Sequence, residues 1–143
     1  METFSILPIL QKIPIFQDLN EQDHKEIIDR ITLQYFPANT IIFSEGDPGD
    51  KMYIIKTGLV KVFKTENSQE KELAILGENE FFGEMALISE APRNASIITL
   101  EECELFTFSK QDFLKLTSTN QHMATIINDE FIKRVKENQK YDI

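Results

Sequence analysis

Histidine occurs only twice in this chain of 143 residues, at His24 and His122, and cysteine only once, at Cys103. Both histidines fall in segments with helical spacing, away from the strands. The clustered imidazoles and carboxylates that hold a catalytic metal are therefore not at hand. A single cysteine closes no internal disulfide, which is compatible with a reducing compartment. Cys103 has no histidine near it in sequence and no elbow motif around it, so nucleophilic catalysis has no support, and it reads as a buried strand residue. Positive charge is also scarce. Lys and Arg number 15 against 24 Asp and Glu, for a net charge of −9. Nucleic-acid binding needs a basic face, so direct DNA binding is disfavoured. A small anion would have to be caught by local donors, against the field of the whole molecule.

Long apolar runs are missing too, so no membrane-spanning segment is expected. The N-terminal stretch Phe4 to Ile15 is apolar but is interrupted by Pro8, Lys12 and Pro14. It has no basic leader and no small-residue cleavage site, and so does not read as a signal peptide. No internal repeat or low-complexity segment stands out. The expectation is a cytoplasmic chain without catalytic activity or metal.

What is present fits one domain over residues 1–143. Apolar residues make up 41% and charged residues 27%, the balance of an ordinary globule with one sizeable core. Residues 5–13 and 20–31 carry helical spacing. In the second segment Asn20 can cap, with Asp23 three residues on, and Ile27, Ile28 and Ile31 form an apolar stripe. From Leu33 to Phe108 short β-branched and aromatic runs alternate with turn-formers. The runs are Thr40–Phe43, Met52–Ile55, Leu59–Phe63, Lys71–Leu76, Ser96–Leu100 and Cys103–Phe108. Such spacing predicts a sandwich or barrel. Ser109, with Asp112 after it, is placed to cap a helix whose apolar side is Phe113, Leu114 and Leu116. A last helix is predicted from about Gln121. Its stripe Met123, Ile127, Phe131 and Val135 needs a partner, either the barrel or a second copy in a dimer.

The most informative stretch is 82–96, FGEMALISEAPRNAS. A glycine precedes a short helix-forming run, and nine positions after Glu84 comes Arg93, stiffened by Pro92. An exposed helix start offers unpaired N–H donors to an anion. Arg93 offers a permanently charged fork to phosphate oxygens. Glu84, when ionised, only accepts, which suits a sugar hydroxyl. As an isolated pair the two would read as a surface ion pair of little worth.

The ordered set Phe82, Gly83, Glu84, Ala86, Leu87, Pro92, Arg93 and Ala95 resembles the phosphate-binding cassette of cyclic nucleotide-binding domains. That family includes the bacterial catabolite activator and the regulatory subunit of the cyclic-AMP-dependent kinase. The resemblance extends over nearly the whole chain. Ile13–Phe16 is similar to the family's lead-in, and residues 42–55 followed by Gly58 are similar to its second and third strands. The glycines of that stretch read as turn formers.

The resemblance implies a mainly β fold with flanking helices, a double-stranded β-helix, jelly-roll-like barrel. N-terminal helices would fill 1–34, the barrel 35–108 with the cassette at 82–96, and C-terminal helices 109–143. It implies a ligand site made by Gly83, Glu84, Met85, Ala86, Arg93, Asn94 and Ala95. Glu84 would take the ribose 2′-hydroxyl and Arg93 an exocyclic phosphate oxygen, with the backbone N–H groups of Ala86 and Asn94 completing the cradle. Asn94 departs from the family pattern. Alanine or serine there goes with cyclic AMP and threonine with cyclic GMP, whereas asparagine decides neither. Arg134, Asn138 and Gln139 fall where the activator's base-side helix residues lie; a solvated helix end is the other reading of them.

The implied function is a stand-alone receptor for a cyclic nucleoside monophosphate, cyclic AMP before cyclic GMP. It would signal to a separate, unidentified effector by moving its C-terminal helix, and a homodimer through that helix is an option. The alternative is a degenerate, ligand-free interaction domain.

Overall fold

A computed structural model describes residues 3–136 of the backbone and the side chains of residues 6–133. Two helices open the chain, α1 (Thr3–Leu10) and α2 (Glu21–Ile28). Eight strands follow: β1 (Thr32–Phe36), β2 (Ile41–Phe43), β3 (Lys51–Thr57), β4 (Val60–Glu66), β5 (Gln69–Leu76), β6 (Phe81–Phe82), β7 (Ser96–Thr99) and β8 (Cys103–Ser109). A single 3-10 turn, Glu84–Leu87, sits between β6 and β7, and α3 (Lys110–Thr119) and α4 (Gln121–Lys136) close the order. The fold is mainly β with flanking helices, a jelly-roll-like arrangement of two antiparallel four-stranded sheets ordered β1-β8-β3-β6 and β2-β7-β4-β5.

Two hydrophobic cores share the first sheet. Met52 and Ile54 of β3, with Phe106 and Phe108 of β8, face the helices and pack with Leu10, Phe16, Ile27, Phe113, Leu116, Met123 and Ile127. Tyr53 and Ile55, with Cys103 and Leu105, face the barrel interior and meet Phe43, Val60, Val62, Phe82 and Ile97 of the barrel. A strand buried on both faces has few polar positions to alternate, which is why Met52–Ile55 of β3 reads as a continuous apolar run. Each fully buried Leu, Ile or Phe contributes about 1.5–3 kcal/mol relative to exposure, so both cores are substantial.

The helix signals act locally as expected. Asn20 Oδ1 accepts the Asp23 N–H at 2.8 Å, and the Asp23 carboxylate accepts the Asn20 N–H at 3.4 Å. Ser109 Oγ accepts the Asp112 N–H at 3.1 Å. Asp23 also takes a hydrogen bond from Asn120 Nδ2 at 2.8 Å, while Asn120 Oδ1 accepts the Met123 N–H at 2.9 Å. One buried carboxylate thereby ties the start of α2 to the corner between α3 and α4.

Several boundaries differ from the sequence reading. The first helix ends at Leu10, and the second stops at Ile28 rather than 31. Arg30 and Ile31 continue in a tightened turn, because the chain must enter β1 at Thr32. The barrel thus begins before residue 35 and includes β1 and the two-residue β6, which carry no strong apolar alternation of their own. Leu114 is 52% exposed. It lies one residue, about 100° of helix, away from the buried Phe113 and so points outward.

Asp23→Ala should lower unfolding stability by about 1–3 kcal/mol, since it removes one cap partner and strands the Asn120 amide. A reduced denaturant midpoint with an unchanged m-value is the expected readout.

Candidate functional site

Gly83 leaves β6 with φ +79°, a conformation that favours glycine. A Cβ there would also lie 2.7 Å from Arg93 Nη1. The expected helix start is only the four-residue 3-10 turn Glu84–Leu87, closed by Ala86 N–H on Gly83 O at 3.2 Å and Ile88 N–H on Met85 O at 3.1 Å. One turn has little macrodipole, so the donors of Arg93 carry more of any anion site than the sequence reading gave them.

The loop after this turn is fastened to the β2–β3 connection. Arg93 N–H donates to Asp47 O at 2.8 Å, Gly46 N–H to Arg93 O at 2.7 Å, and Glu45 N–H to Ser96 Oγ at 2.8 Å. These bonds fix the backbone at Arg93, whose side chain is buried. It is 6% exposed. Its Nη1 donates to Gly83 O at 3.3 Å and its Nη2 to Lys51 O at 2.8 Å. Its Nε is buried without a hydrogen-bond partner. Burial pulls the guanidinium pKa below its usual value, opposed by Tyr53, Asp50, Glu84 and Asp47 around it. The result is a desolvated cation with spare donors, which is chemistry for an anionic oxygen.

The structure gathers most of the predicted residues here. Glu84 is 5% exposed and acts electrostatically on Arg93. Ala86 and Ala95 are buried, Asn94 is half-buried, and Met85 is half-buried against the helical core. Arg134 lies on α4 beyond the described side chains, and Asn138 and Gln139 lie outside the described residues.

Three neighbours escaped the sequence reading. Gly49, in a stretch that reads as a turn, leaves room for the site. A Cβ on it would stand 2.6 Å from Ala86 Cβ and 3.2 Å from Arg93 Cζ. Phe43 lies under the guanidinium, with Arg93 Cζ 4.0 Å from the ring centroid. Tyr53 stacks on Phe82 at 4.9 Å and 15°, and burial pushes its phenol up to about 12, with Arg93 pulling it back and Asp50 adding to the rise. The first glycine-acid pair of Glu45–Asp50 signals a turn; nothing in that pattern states which side chain the second glycine must clear.

Beyond the cassette, Leu87 and Ile88 meet α3 and α4 across a groove of about 280 Å³ lined by Phe113, Leu114, Ile127 and Phe131 among others. Met123 and Ile127, the first half of the α4 stripe, are buried in the chain's own core. Among the described residues no group of His, Cys, Asp and Glu is placed to hold a metal, and no helix is long and apolar enough to cross a membrane.

The family model of the cyclic nucleotide-binding domain matches residues 33–120. The chain belongs to the cyclic nucleotide-binding domain family. It is 35% identical over 104 residues to the cyclic AMP receptor protein of Thermus thermophilus, covering 72% of this chain and 48% of that protein. To the cAMP-dependent protein kinase regulatory subunit of Pyricularia oryzae it is 34% identical over 107 residues, 75% of this chain and 27% of that one. The chain thus spans about half the length, or less, of these relatives. Its fold matches the regulatory domain of Toxoplasma gondii PKA, crystallised with cAMP, at a TM-score of 0.74 and 27% identity, covering 80% of this chain and 44% of that one.

The Tyr53 shift gives a prediction with a definite sign. The folded phenol holds its proton to about pH 12, whereas an unfolded tyrosine releases it near 10. Between those values the unfolded state binds fewer protons, so stability should fall as pH rises from 10 to 12, by on the order of 2 kcal/mol. Denaturant melts across that range check the slope, and Tyr53→Phe should flatten it.

Proposed function

We propose that this cyclic nucleotide-binding domain is a receptor module that takes up a cyclic nucleoside monophosphate, with cyclic AMP as the favoured ligand. The observation that carries this reading is the buried Arg93 guanidinium with its unpartnered Nε. A cation left in that state inside a glycine-lined cradle is costly unless an anion completes it. Arg93 would bind an exocyclic phosphate oxygen and Glu84 the ribose 2′-hydroxyl. Gly83, Met85, Ala86, Asn94 and Ala95 would form the cradle. The Ala86 N–H now closes the 3-10 turn through a long bond. A phosphate oxygen would compete for that donor.

Cyclic AMP is favoured because the named relatives are cyclic AMP proteins and one structural neighbour was crystallised with cAMP. Asn94 leaves cyclic GMP open. Arg134, Asn138 and Gln139 would serve the base edge from the end of α4.

Output would run through α4 to a separate protein. Ligand that ordered Leu87 and Ile88 would bias the groove they share with α3 and α4, and the bias cannot exceed the ligand's differential affinity for the two states. The net charge of −9 weighs against a nucleic acid as the direct target. A homodimer would have to use the outer half of α4, where Phe131 is half-buried and Ile132 is exposed.

Calorimetric titration with cyclic AMP and cyclic GMP tests the reading. Heat of binding, with a raised melting temperature, is expected for cyclic AMP. Arg93→Ala should cost about 2–4 kcal/mol of binding, because it removes a charge-assisted contact in a nearly dry site. Glu84→Ala should cost less. A folded sample that responds to neither nucleotide would instead support a degenerate, ligand-free domain.

A further inference from the structure

We propose that Phe43 is a positioning residue for the phosphate anchor. Its ring holds the Arg93 guanidinium by the face and leaves the edge of the guanidinium to the ligand. The inference rests on the cyclic nucleotide reading of the site.

Phe43 sits on β2, fifty residues before Arg93, and nothing in the cassette pattern refers to it. Its ring centroid is 4.0 Å from Arg93 Cζ, inside the range of a cation–π contact. The ring is itself fixed. Tyr53 lies 6.0 Å away at 42° and Phe82 5.9 Å away at 57°, and these two stack on each other. Phe43 is therefore one corner of a rigid aromatic cluster in the barrel core rather than a loose cover.

The chemistry separates by direction. A guanidinium donates hydrogen bonds only in its plane and stacks on a π face along the normal to that plane. A carboxylate used to steady the buried cation would take the same in-plane donors that a phosphate needs. A phenyl ring steadies the charge and takes none of them. Lys51 O and Gly83 O already fix two of the donors. With the Phe43 ring centroid 4.0 Å from Cζ, the cation has few ways left to turn, and Nε keeps its donor unspent. Binding then begins from an oriented anchor, without the loss of rotamer freedom that a mobile arginine would suffer.

The test compares Phe43→Leu, Phe43→Met and Phe43→Tyr with the unaltered chain, by titration with cyclic AMP and with cyclic GMP and by thermal melts without nucleotide. Leu and Met keep the site apolar but remove the quadrupole; Tyr keeps it. The expected result is a loss of roughly fivefold to twentyfold in affinity for Leu and Met, with Tyr within about threefold of the unaltered chain. The loss should be the same factor for every nucleotide that binds, because the contact serves the phosphate and not the base. It should also not track the melting temperatures across the three variants. Leu and Met variants that bind like the unaltered chain would overturn the proposal. So would a Tyr variant as weak as Leu, or a loss confined to one of two bound nucleotides. If the unaltered chain binds neither nucleotide, the ligand reading fails first and takes this inference with it.

Discussion

A buried cation is the constraint around which this molecule is arranged. Removing a guanidinium from water costs several kcal/mol unless its charge and its donors are met, and Arg93 is almost completely removed. The surroundings meet it only in part. Two backbone carbonyls take one donor each, a phenyl ring centroid lies 4.0 Å from Cζ, and the carboxylates of Asp50, Glu84 and Asp47 act on the cation electrostatically. The backbone on either side must come very close for this to happen. Gly83 and Gly49 occupy the two positions where a Cβ would collide with the arginine or its support. The paired bonds between Arg93 and the residues Gly46 and Asp47 hold the loop in place while the side chain turns inward.

The same constraint links the site to the helices. The cassette turn does not lie on the surface of one core; it joins two. Phe82 packs inside the barrel, whereas Leu87 packs with the helices, only five residues later. The short turn between them therefore connects residues packed on both sides of the first sheet. On the helical side the contacts continue through Phe113 and Ile127, and α4 in turn is tied to α2 through Asn120 and Asp23. Packed cores respond to such displacements as units rather than by smooth deformation.

Much of this was readable from residues alone, for reasons that are local. Caps at Asn20 and Ser109, strands rich in β-branched residues and the glycine-led cassette are all short-range patterns, and the chain honours them. What escaped was long-range. β1 and β6 exist because β8 and β3 offer them edges, not because Thr32–Phe36 or Phe81–Phe82 insist on being strands. Gly49 looked like any turn glycine, since its spatial neighbours Ala86 and Arg93 lie about forty residues away in sequence. Phe43 looked like a core phenylalanine, which it also is. The cassette motif records which residues are proposed to face a ligand. It does not record what holds them, because a supporting contact can come from any strand that passes beneath.

The charge of the whole chain sharpens the importance of that support. At −9 the long-range field repels an approaching anion, so the proposed nucleotide would gain little from steering. Attraction must come from groups a few ångströms away, where low local polarity strengthens each interaction and solvent screening is weak. Such short-range attraction falls off quickly with misplacement, so orientation counts for more than the number of charges. An acidic domain with one well-held arginine can then do what a basic patch does elsewhere, provided the arginine cannot turn away. The backbone carbonyls, the two glycines and the ring of Phe43 are the parts of this fold that bear on that condition.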